Sequence, residues 1–418
     1  MQTIEIINSV VAIAFTICYA YQFFYILVPF LFRQKKHKAA KQHKIAVIIS
    51  ARNEEGVIGH LLDTVNNQDY PSELITAFVV ADNCTDKTAE VSRKKGAVVL
   101  ERFNDELVGK GYALDYLFSF IKKDYGFDAF DGYLVLDADN LLRENYITEM
   151  NKTFSDGYKI ITGYRNSKNY GDNWISAGYA LWFLRESKYL NNSRMLLGTS
   201  CAVSGTGFMF SNEIIKKTDG WKYFLLTEDI EFSVRQIIDG EKIGFCGSAE
   251  LFDEQPIKFS QSWRQRMRWA KGYYQVFRNY GTRLIKGIFK GSFACFDMSM
   301  VIMPAILITV FGLVSNLVSF VIGAFSALTA HGVLVTLNSL LSTLWSGYLM
   351  LFIIGAITTV TEWKKIHTTP FKKILYAITF PIFMYTYIPI AVVAIFKKVK
   401  WTPIAHTENK ALEEVTKD

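Results

Sequence analysis

The sequence predicts an α/β domain with a mostly parallel, doubly wound sheet, inserted between membrane-crossing helices. Three observations lead there. From Lys44 onward, short β-branched runs alternate with helical periodicity. Half of the 418 residues are hydrophobic, and the excess lies near the N-terminus and from about Met298 to Phe396. Basic residues flank those apolar stretches, so the net charge of +7 reflects membrane flanks and phosphate-facing residues, with no recognised nucleic-acid-binding module. The five cysteines, Cys18, Cys84, Cys201, Cys246 and Cys295, form no close pairs. That argues against a zinc site or disulfide framework and fits a reducing cytosol.

The first apolar run, about Ile6 to Phe32, exceeds the roughly 20 residues a helix needs to cross a bilayer. No Lys or Arg precedes it, so residues 1–33 read as an uncleaved anchor and not as a secretory signal. Arg33-Gln34-Lys35-Lys36-His37-Lys38, with Lys41 and Lys44, places the next domain in the cytosol by the positive-inside rule.

The first strand, Ile45-Ala46-Val47-Ile48-Ile49, meets Ala51-Arg52-Asn53-Glu54-Glu55; then Ile58, Leu61, Leu62 and Val65 share one helical face. The second, Ile75 to Val80, ends at Asp82-Asn83-Cys84-Thr85-Asp86, where Thr85 or Asp86 can cap the next helix. A third, Ala97 to Leu100, leads to Gly109-Lys110-Gly111 and another helix. The fourth, Leu134-Val135-Leu136, stops at Asp137-Ala138-Asp139. In a parallel sheet the loops after the strands share one rim, and ligands bind there. Asp82, Asp137 and Asp139 can therefore converge on one ligand. Two carboxylates one residue apart suit Mg²⁺ or Mn²⁺ carrying a diphosphate, because such ions leave most positions to phosphate and water. Asp82 can accept from a base N–H, and Lys110 can face the diphosphate. Plainer readings stand beside these: a solvated acidic turn, a helix-end acid and a solvated loop lysine.

Further on, Gly198-Thr199-Ser200-Cys201 and Val203-Ser204-Gly205-Thr206-Gly207-Phe208 either let another molecule approach the backbone or form a flexible strand. In Leu225-Leu226-Thr227-Glu228-Asp229-Ile230-Glu231, Thr227 is placed as a cap and the acids complement the helix dipole. One of these acids, set beside a hydroxyl, can also act as general base. Between Glu254 and Asp297 there is no acid, yet basic and aromatic residues abound. On a helix Gln265, Arg268 and Trp269 share a face, which suits a phosphate and a sugar ring. A basic amphipathic helix on anionic lipid accounts for the same composition. Tyr280, Arg283, Lys286, Phe289 and Lys290 are expected at the membrane surface, in an interfacial helix over 276–297.

Residues 44–275 resemble the catalytic domain of the membrane-integral family 2 glycosyltransferases, the group of cellulose, chitin, hyaluronan and poly-N-acetylglucosamine synthases. The resemblance rests on an ordered set: Asp82, then Asp137-x-Asp139, Thr227-Glu228-Asp229 and Gln265-x-x-Arg268-Trp269. It implies a Rossmann-like GT-A domain, a UDP-sugar donor and Mg²⁺ or Mn²⁺. Asp82, helped by the Arg52-Asn53-Glu54 loop, would bind the uracil, and Lys110 would lie near the phosphates. Asp137 would contact the nucleotide sugar and Asp139 would hold the metal. Asp229 would take the proton from the acceptor hydroxyl, with Glu228 beside it. Gln265 and Trp269 would line the acceptor end, Arg268 would support the diphosphate, and Gly205-Thr206-Gly207 would border the acceptor. A single base without a protein nucleophile implies inversion, so an α-linked donor gives a β-linked product.

In the region 298–396, Met298 to about Ala327 and Gly332 to about Val360 are each long enough to cross, with a turn near His331. Lys364, Lys365, Lys372 and Lys373 mark the cytosolic side. Ile374 to Phe396 is also long enough, but Pro381 and Pro389 interrupt it and Lys397-Lys398-Val399-Lys400 follows. A broken or re-entrant segment fits this better than a simple crossing. The tail, 397–418, is too short for a regulatory domain. With one span before the catalytic domain, polymer secretion would need an oligomer or export partner. Three functions follow. Processive synthesis of a β-linked polysaccharide at the cell membrane is favoured by Gln265, Arg268 and Trp269; the others are a single transfer to a lipid-linked acceptor and a non-catalytic membrane scaffold or export subunit. Intact Asp137, Asp139 and Asp229 count against the last.

Overall fold

The protein was analysed as a computed structural model that describes residues 2–34, 37, 40–326, 330–404, 406 and 408–417. Lys35, Lys36 and Lys38 of the basic run and the connection at 327–329 lie outside the described residues. An apolar helix α1 (Gln2–Leu31) precedes β1 (Ile45–Ala51), α2 (Ile58–Asn66), β2 (Ile75–Asp82), α3 (Thr88–Lys94), β3 (Val98–Arg102), α4 (Lys110–Asp124) and β4 (Gly132–Asp137). Next come β5 (Leu141–Leu142), α5 (Tyr146–Ser155), β6 (Ile160–Ser167) and α6 (Trp174–Arg185). A π-helical turn, Glu186–Asn191, joins α6 to α7 (Asn192–Leu197). Then β7 (Phe208–Ser211), α8 (Asn212–Lys217), α9 (Glu228–Ile238) and β8 (Ile243–Asp253) complete the α/β unit.

The sheet order is β3-β2-β1-β4-β7-β6-β8-β5. Strands β3, β2, β1 and β4 run parallel, with Ser50 opposite Asp137 and Ala51 opposite Ala81. Strands one, two and four therefore end on one rim, and the chain reverses its direction of growth between β1 and β4, where open α/β sheets bind ligands. Side-chain alternation explains the apolar strand sequences. Ile45, Val47 and Ile49 pack with Leu61 and Met150, while Ala46 and Ile48 pack with Leu114 and Leu181, so both faces are covered. Strand β7 runs antiparallel to β4 and β6. It begins at the ligand rim, Phe208 opposite Val135, and so lays Ser204–Gly207 along that rim.

Some local expectations change. Strand β3 continues to Arg102, beyond Leu100, which brings the arginine level with Asp82. Lys87 occupies the cap position of α3, and Asp86 instead accepts from the N–H of Thr88 at 3.0 Å and from its hydroxyl. Thr227 stands at the cap of α9 without a side-chain cap bond.

Helix α10 (Phe259–Phe289) is a single helix of 31 residues, so the expected interfacial helix is its second half. Buried Met267 and Ala270 of its first half pack with Ile390, Ala391 and Ala394, while buried Val276 and Leu284 of its second half pack into the main core. After it come α11 (Phe293–Ile302), α12 (Pro304–Ser326), α13 (Ala330–Thr361), α14 (Pro370–Tyr385), α15 (Tyr387–Phe396) and α16 (Leu412–Val415). By length and composition Ile6–Leu31, Leu340–Thr361 and Pro370–Phe396 can each cross a membrane. A fourth candidate joins Phe293–Ile302 to Leu307–Val318 with a 44° bend. Pro304, which has no N–H and crowds the preceding turn, accounts for that break in the run expected from Met298.

Pro381 lies inside α14 without ending it, whereas Pro389 sits in the first turn of α15 and removes the bond that would join the two helices. Arg266 fills the break, with one nitrogen donating to the Phe383 carbonyl at 3.1 Å and the Thr386 hydroxyl at 2.7 Å. Both ends of this pair hold the α/β unit. Lys372 donates to the Gly171 carbonyl at 2.7 Å, and Lys271 donates to the Ile395 carbonyl at 3.1 Å. At the contact of α1 with α11, Asp297 accepts from Tyr21 and Tyr25 of α1 and from Arg194, each at 2.8 Å.

Candidate active site

A cavity of about 380 Å³ opens at the rim where β1, β2 and β4 end, within the size range of small-molecule sites. It is lined by Arg52, Glu54, Asp82, Lys110, Asp137, Asp139, Gly205, Glu228, Asp229, Gln265, Arg268 and Trp269. Twelve of the fifteen site residues expected from sequence thus meet in one place. Asn53, Thr206 and Gly207 do not line it.

Those three build its walls. Asn53 takes φ 57°, accepts from the Thr85 N–H at 2.8 Å and so ties the loop after β1 to the loop after β2. Thr206 accepts from the Asp137 N–H at 2.9 Å. Gly207 has φ 67°, and a Cβ there would lie 2.0 Å from Leu251, so the backbone passes where only glycine fits. The Thr206 and Gly207 expectation is corrected accordingly: they brace the rim, and Gly205 alone of the three faces the cavity.

At one end, Asp82 is 4% exposed and paired with Arg102. Burial raises its pKa and the guanidinium opposes the rise. Asp82 therefore lines the cavity as one half of a buried ion pair, with Arg52 also at the wall. Lys110, at the start of α4, pairs with Asp137 and donates to the Gly205 carbonyl at 2.8 Å. Burial works against its charge, but Asp137 and Glu228 outweigh that and raise its pKa.

Asp139 is 3% exposed and accepts from the Glu254 N–H at 2.7 Å. Burial favours its neutral form, but His406, Lys168 and Arg165 hold it ionised. His406, 2.8 Å from Glu54, shows the same field from the other side. Burial disfavours the imidazolium, yet Asp139, Glu54 and Glu254 push its pKa up to about 10. The carboxylates here are thus balanced by His406, Lys168 and Arg165. Among the described residues no three His, Cys, Asp or Glu side chains form a closed metal cage. One or two carboxylates beside an open cavity fit Mg²⁺ or Mn²⁺ that completes its shell with phosphate and water.

Asp229 lies in the first turn of α9, and its Oδ2 accepts from the Gly205 N–H at 2.6 Å. Burial raises its pKa, while the Ile230 N–H, Lys110 and the Gly205 N–H hold the rise back. Burial and the charge of Asp229 raise Glu228 as well. Glu231 turns away, accepting from the N–H groups of Phe224 and Leu225 and from the Tyr280 hydroxyl, each at 2.9 Å. Gly272 lets α10 approach, since a Cβ there would meet Thr227 at 2.5 Å. That approach brings Gln265, Arg268 and Trp269 to the cavity opposite Asp229.

The tail was missed by sequence reasoning. Trp401, Thr402, Pro403, Ile404 and His406 line the cavity, with Trp401 facing the Arg52 guanidinium at 5.7 Å and lying 3.7 Å from where a Cβ on Gly109 would sit. The Glu408 N–H donates to Glu254 at 3.0 Å, and Val415 packs on Leu141 and Phe252. The available signal was a tryptophan and a histidine in a short, mostly polar tail that also carries Ile404, Leu412 and Val415.

Buried polar atoms without a partner include nitrogens of Arg52, Arg268 and Trp401 and oxygens of Glu54, Thr227 and Gln265. All six residues line this cavity.

Comparison with known proteins agrees with this architecture. The chain is 26% identical over 263 residues to a probable glycosyltransferase, YdaM, of Bacillus subtilis, covering 58% of each chain. It is 23% identical over 243 residues to the β-monoglucosyldiacylglycerol synthase of a Synechocystis species (57% of this chain, 49% of that one). It is 24% identical over 234 residues to the poly-β-1,6-N-acetyl-D-glucosamine synthase of Staphylococcus epidermidis (56% and 55%). The chain spans about half the length of the curated relatives it matches. In fold it is similar to a mannosyltransferase of Pyrobaculum calidifontis solved with GDP-mannose and Mn²⁺, with a TM-score of 0.58 and 13% identity over 93% of this chain and 99% of that one. Residues 43–272, more than half of the chain, match the family model described as glycosyltransferase like family 2, and the chain belongs to that family.

Proposed function

We propose that the protein transfers a sugar from a UDP-linked donor to the hydroxyl of a growing β-linked polysaccharide at the cell membrane, with inversion and with Mg²⁺ or Mn²⁺. The observation that carries this reading is the ring of unpartnered buried polar atoms around one cavity. Each such atom costs about 1–3 kcal/mol, and a polar ligand offsets that cost. Guanidinium and indole N–H donors from Arg52, Arg268 and Trp401 suit a diphosphate, and the carboxylate, hydroxyl and amide oxygens of Glu54, Thr227 and Gln265 suit the donors of a base or sugar.

In this reading the Arg52-Asn53-Glu54 loop and Asp82 form the base end, and Lys110 and Arg268 hold the diphosphate oxygens. Asp137 contacts the nucleotide sugar, and Asp139 is the metal ligand with Glu54 and His406 around it. When bound, the ion supplies charge neutralisation for the leaving diphosphate. Asp229 accepts the proton of the acceptor hydroxyl as its oxygen attacks the anomeric carbon and the bond from that carbon to the diphosphate breaks on the opposite side. Gln265, Trp269 and Gly205 border the acceptor, and Glu228 lies beside Asp229. Trp401 closes the donor end; Trp401→Ala is expected to raise the donor KM about tenfold with kcat changed far less, the pattern of lost uniform binding. Steady-state kinetics against donor concentration check this, and an unchanged KM counts against it.

Residues 1–33 and 298–396 anchor a cytosolic catalytic domain, 44–275, in the membrane. The segment 370–396 is read as re-entrant, since both its ends bond to the α/β unit. The second half of α10, with Phe289 88% exposed, is assigned to the lipid interface. A polymer route then needs a homo-oligomer or export partner. A second reading, single transfer to a lipid acceptor, is favoured by one observation: Val301, Met384 and Tyr387 of the membrane helices line the cavity.

The test is UDP release by the purified chain in nanodiscs with Mg²⁺ or Mn²⁺ and UDP-glucose, UDP-N-acetylglucosamine, UDP-glucuronate or UDP-galactose. Release with one or two donors is expected, and product sizing then separates a polymer ladder from a single addition. Folded protein that releases no nucleotide from any of these donors would overturn the UDP-sugar reading and turn the search to another nucleotide, a required acceptor or partner, or the scaffold function.

A further inference from the structure

We propose that Glu186 positions the acceptor, and that the acceptor it fits is a sugar whose attacking hydroxyl has a second hydroxyl beside it. This rests on the transfer reading above and names its acceptor class. Glu186 opens the π-helical turn after α6, in a short, wide-turned element of the sort often found at functional sites. Its carboxylate lines the cavity, where the Ser204 hydroxyl donates a long bond of 3.4 Å to Oε2. The next residue, Gly205, gives its N–H to Asp229 Oδ2 at 2.6 Å. Two successive residues of one loop therefore hold two carboxylates at the same end of the cavity. Phe183 and Trp269 line that end too, with ring centroids 6.1 Å apart, and the half-buried Trp269 suits the C–H face of a sugar ring. Arg165 supplies the balancing charge; it lies 3.6 Å over the Phe183 ring and donates to the Ser204 carbonyl at 3.1 Å and to Asp253 at 2.7 Å.

An enclosed carboxylate with one weak donor is costly unless a ligand donates to it. An acceptor with a lone hydroxyl gives its O–H to Asp229 and leaves Glu186 unmet. A sugar gives one O–H to each. Diacylglycerol, with one hydroxyl, belongs to the first class, and Glu186 discriminates against it because its carboxylate then gains no donor from the ligand.

The experiment measures UDP release by the full chain in nanodiscs, with the donor that supports slow hydrolysis to water. Cellotetraose, N-acetylchitotetraose or dioleoylglycerol serves as acceptor. At least one tetrasaccharide is expected to stimulate release about tenfold or more, and dioleoylglycerol is not. Glu186→Gln keeps donor Kd but raises the acceptor KM about tenfold or more, and Glu186→Asp restores part of the loss. Equal stimulation in Glu186→Gln, stimulation by dioleoylglycerol alone, or stimulation by no sugar overturns the proposal. Loss of donor binding in Glu186→Gln also overturns it, by making the residue structural. If the wild type hydrolyses no donor at all, the transfer reading itself falls, and this inference with it.

Discussion

Asp229→Asn is expected to lower kcat for sugar transfer about a hundred- to ten-thousandfold, the usual contribution of a positioned base, while donor Kd stays within about twofold. The amide keeps the shape and still accepts from the Gly205 N–H, so the wall stands. What is lost is the ability to take a proton. The pH profile gives an independent check. Only the ionised carboxylate accepts the proton, and burial raises the pKa of Asp229 above that of an ordinary aspartate. Transfer therefore falls as pH drops through that raised pKa, on an acid limb above the ordinary aspartate range. In Asp229→Asn the limb disappears along with the activity. A variant retaining more than a tenth of wild-type kcat, with its acid limb intact, would assign the base elsewhere.

Asp139→Asn is the second large effect, with kcat/KM expected to fall about a hundred- to a thousandfold, in line with losing one group that stabilises developing charge. The carboxylate sits in a field that already draws a cation, as the elevated His406 pKa shows. The amide weakens that field and offers a poorer ligand to a hard ion. The apparent affinity for Mg²⁺ or Mn²⁺, measured as the concentration restoring activity after chelation, should shift upward by a similar factor. An unchanged metal titration in a folded Asp139→Asn protein would separate this residue from the ion.

The strand ends that carry Asp82, Asp137 and Asp139 were legible because they follow local rules. A buried β-branched run that meets an acid can be recognised within ten residues, and the parallel arrangement then sets all such ends on one rim. The helix face of Gln265, Arg268 and Trp269 was legible for the same reason, through its spacing alone. Thr206 and Gly207 were misplaced because sequence shows that a backbone can be approached closely, not what approaches it. In the fold it is Leu251, a core residue. The ion pair of Asp82 with Arg102 went unseen because it needed β3 to run two residues past its apolar segment. Glu186 was hidden because it directly follows a helix that is apolar nearly throughout and reads as core, and only the fold turns the chain there so that it reaches the cavity.

By itself, then, the sequence determined the α/β class, the apolar segments, the ordered acids and the basic aromatic helix, because each is written in residue type and period over a short window. Tertiary structure alone decided which of them share a cavity, that Pro389 and not Pro381 breaks the last apolar run, and that the tail returns over the site. The His406–Glu54 contact joins residues 352 apart in sequence. A contact of that kind depends on the packing of every element between its ends, so nothing in the local pattern around either residue encodes it.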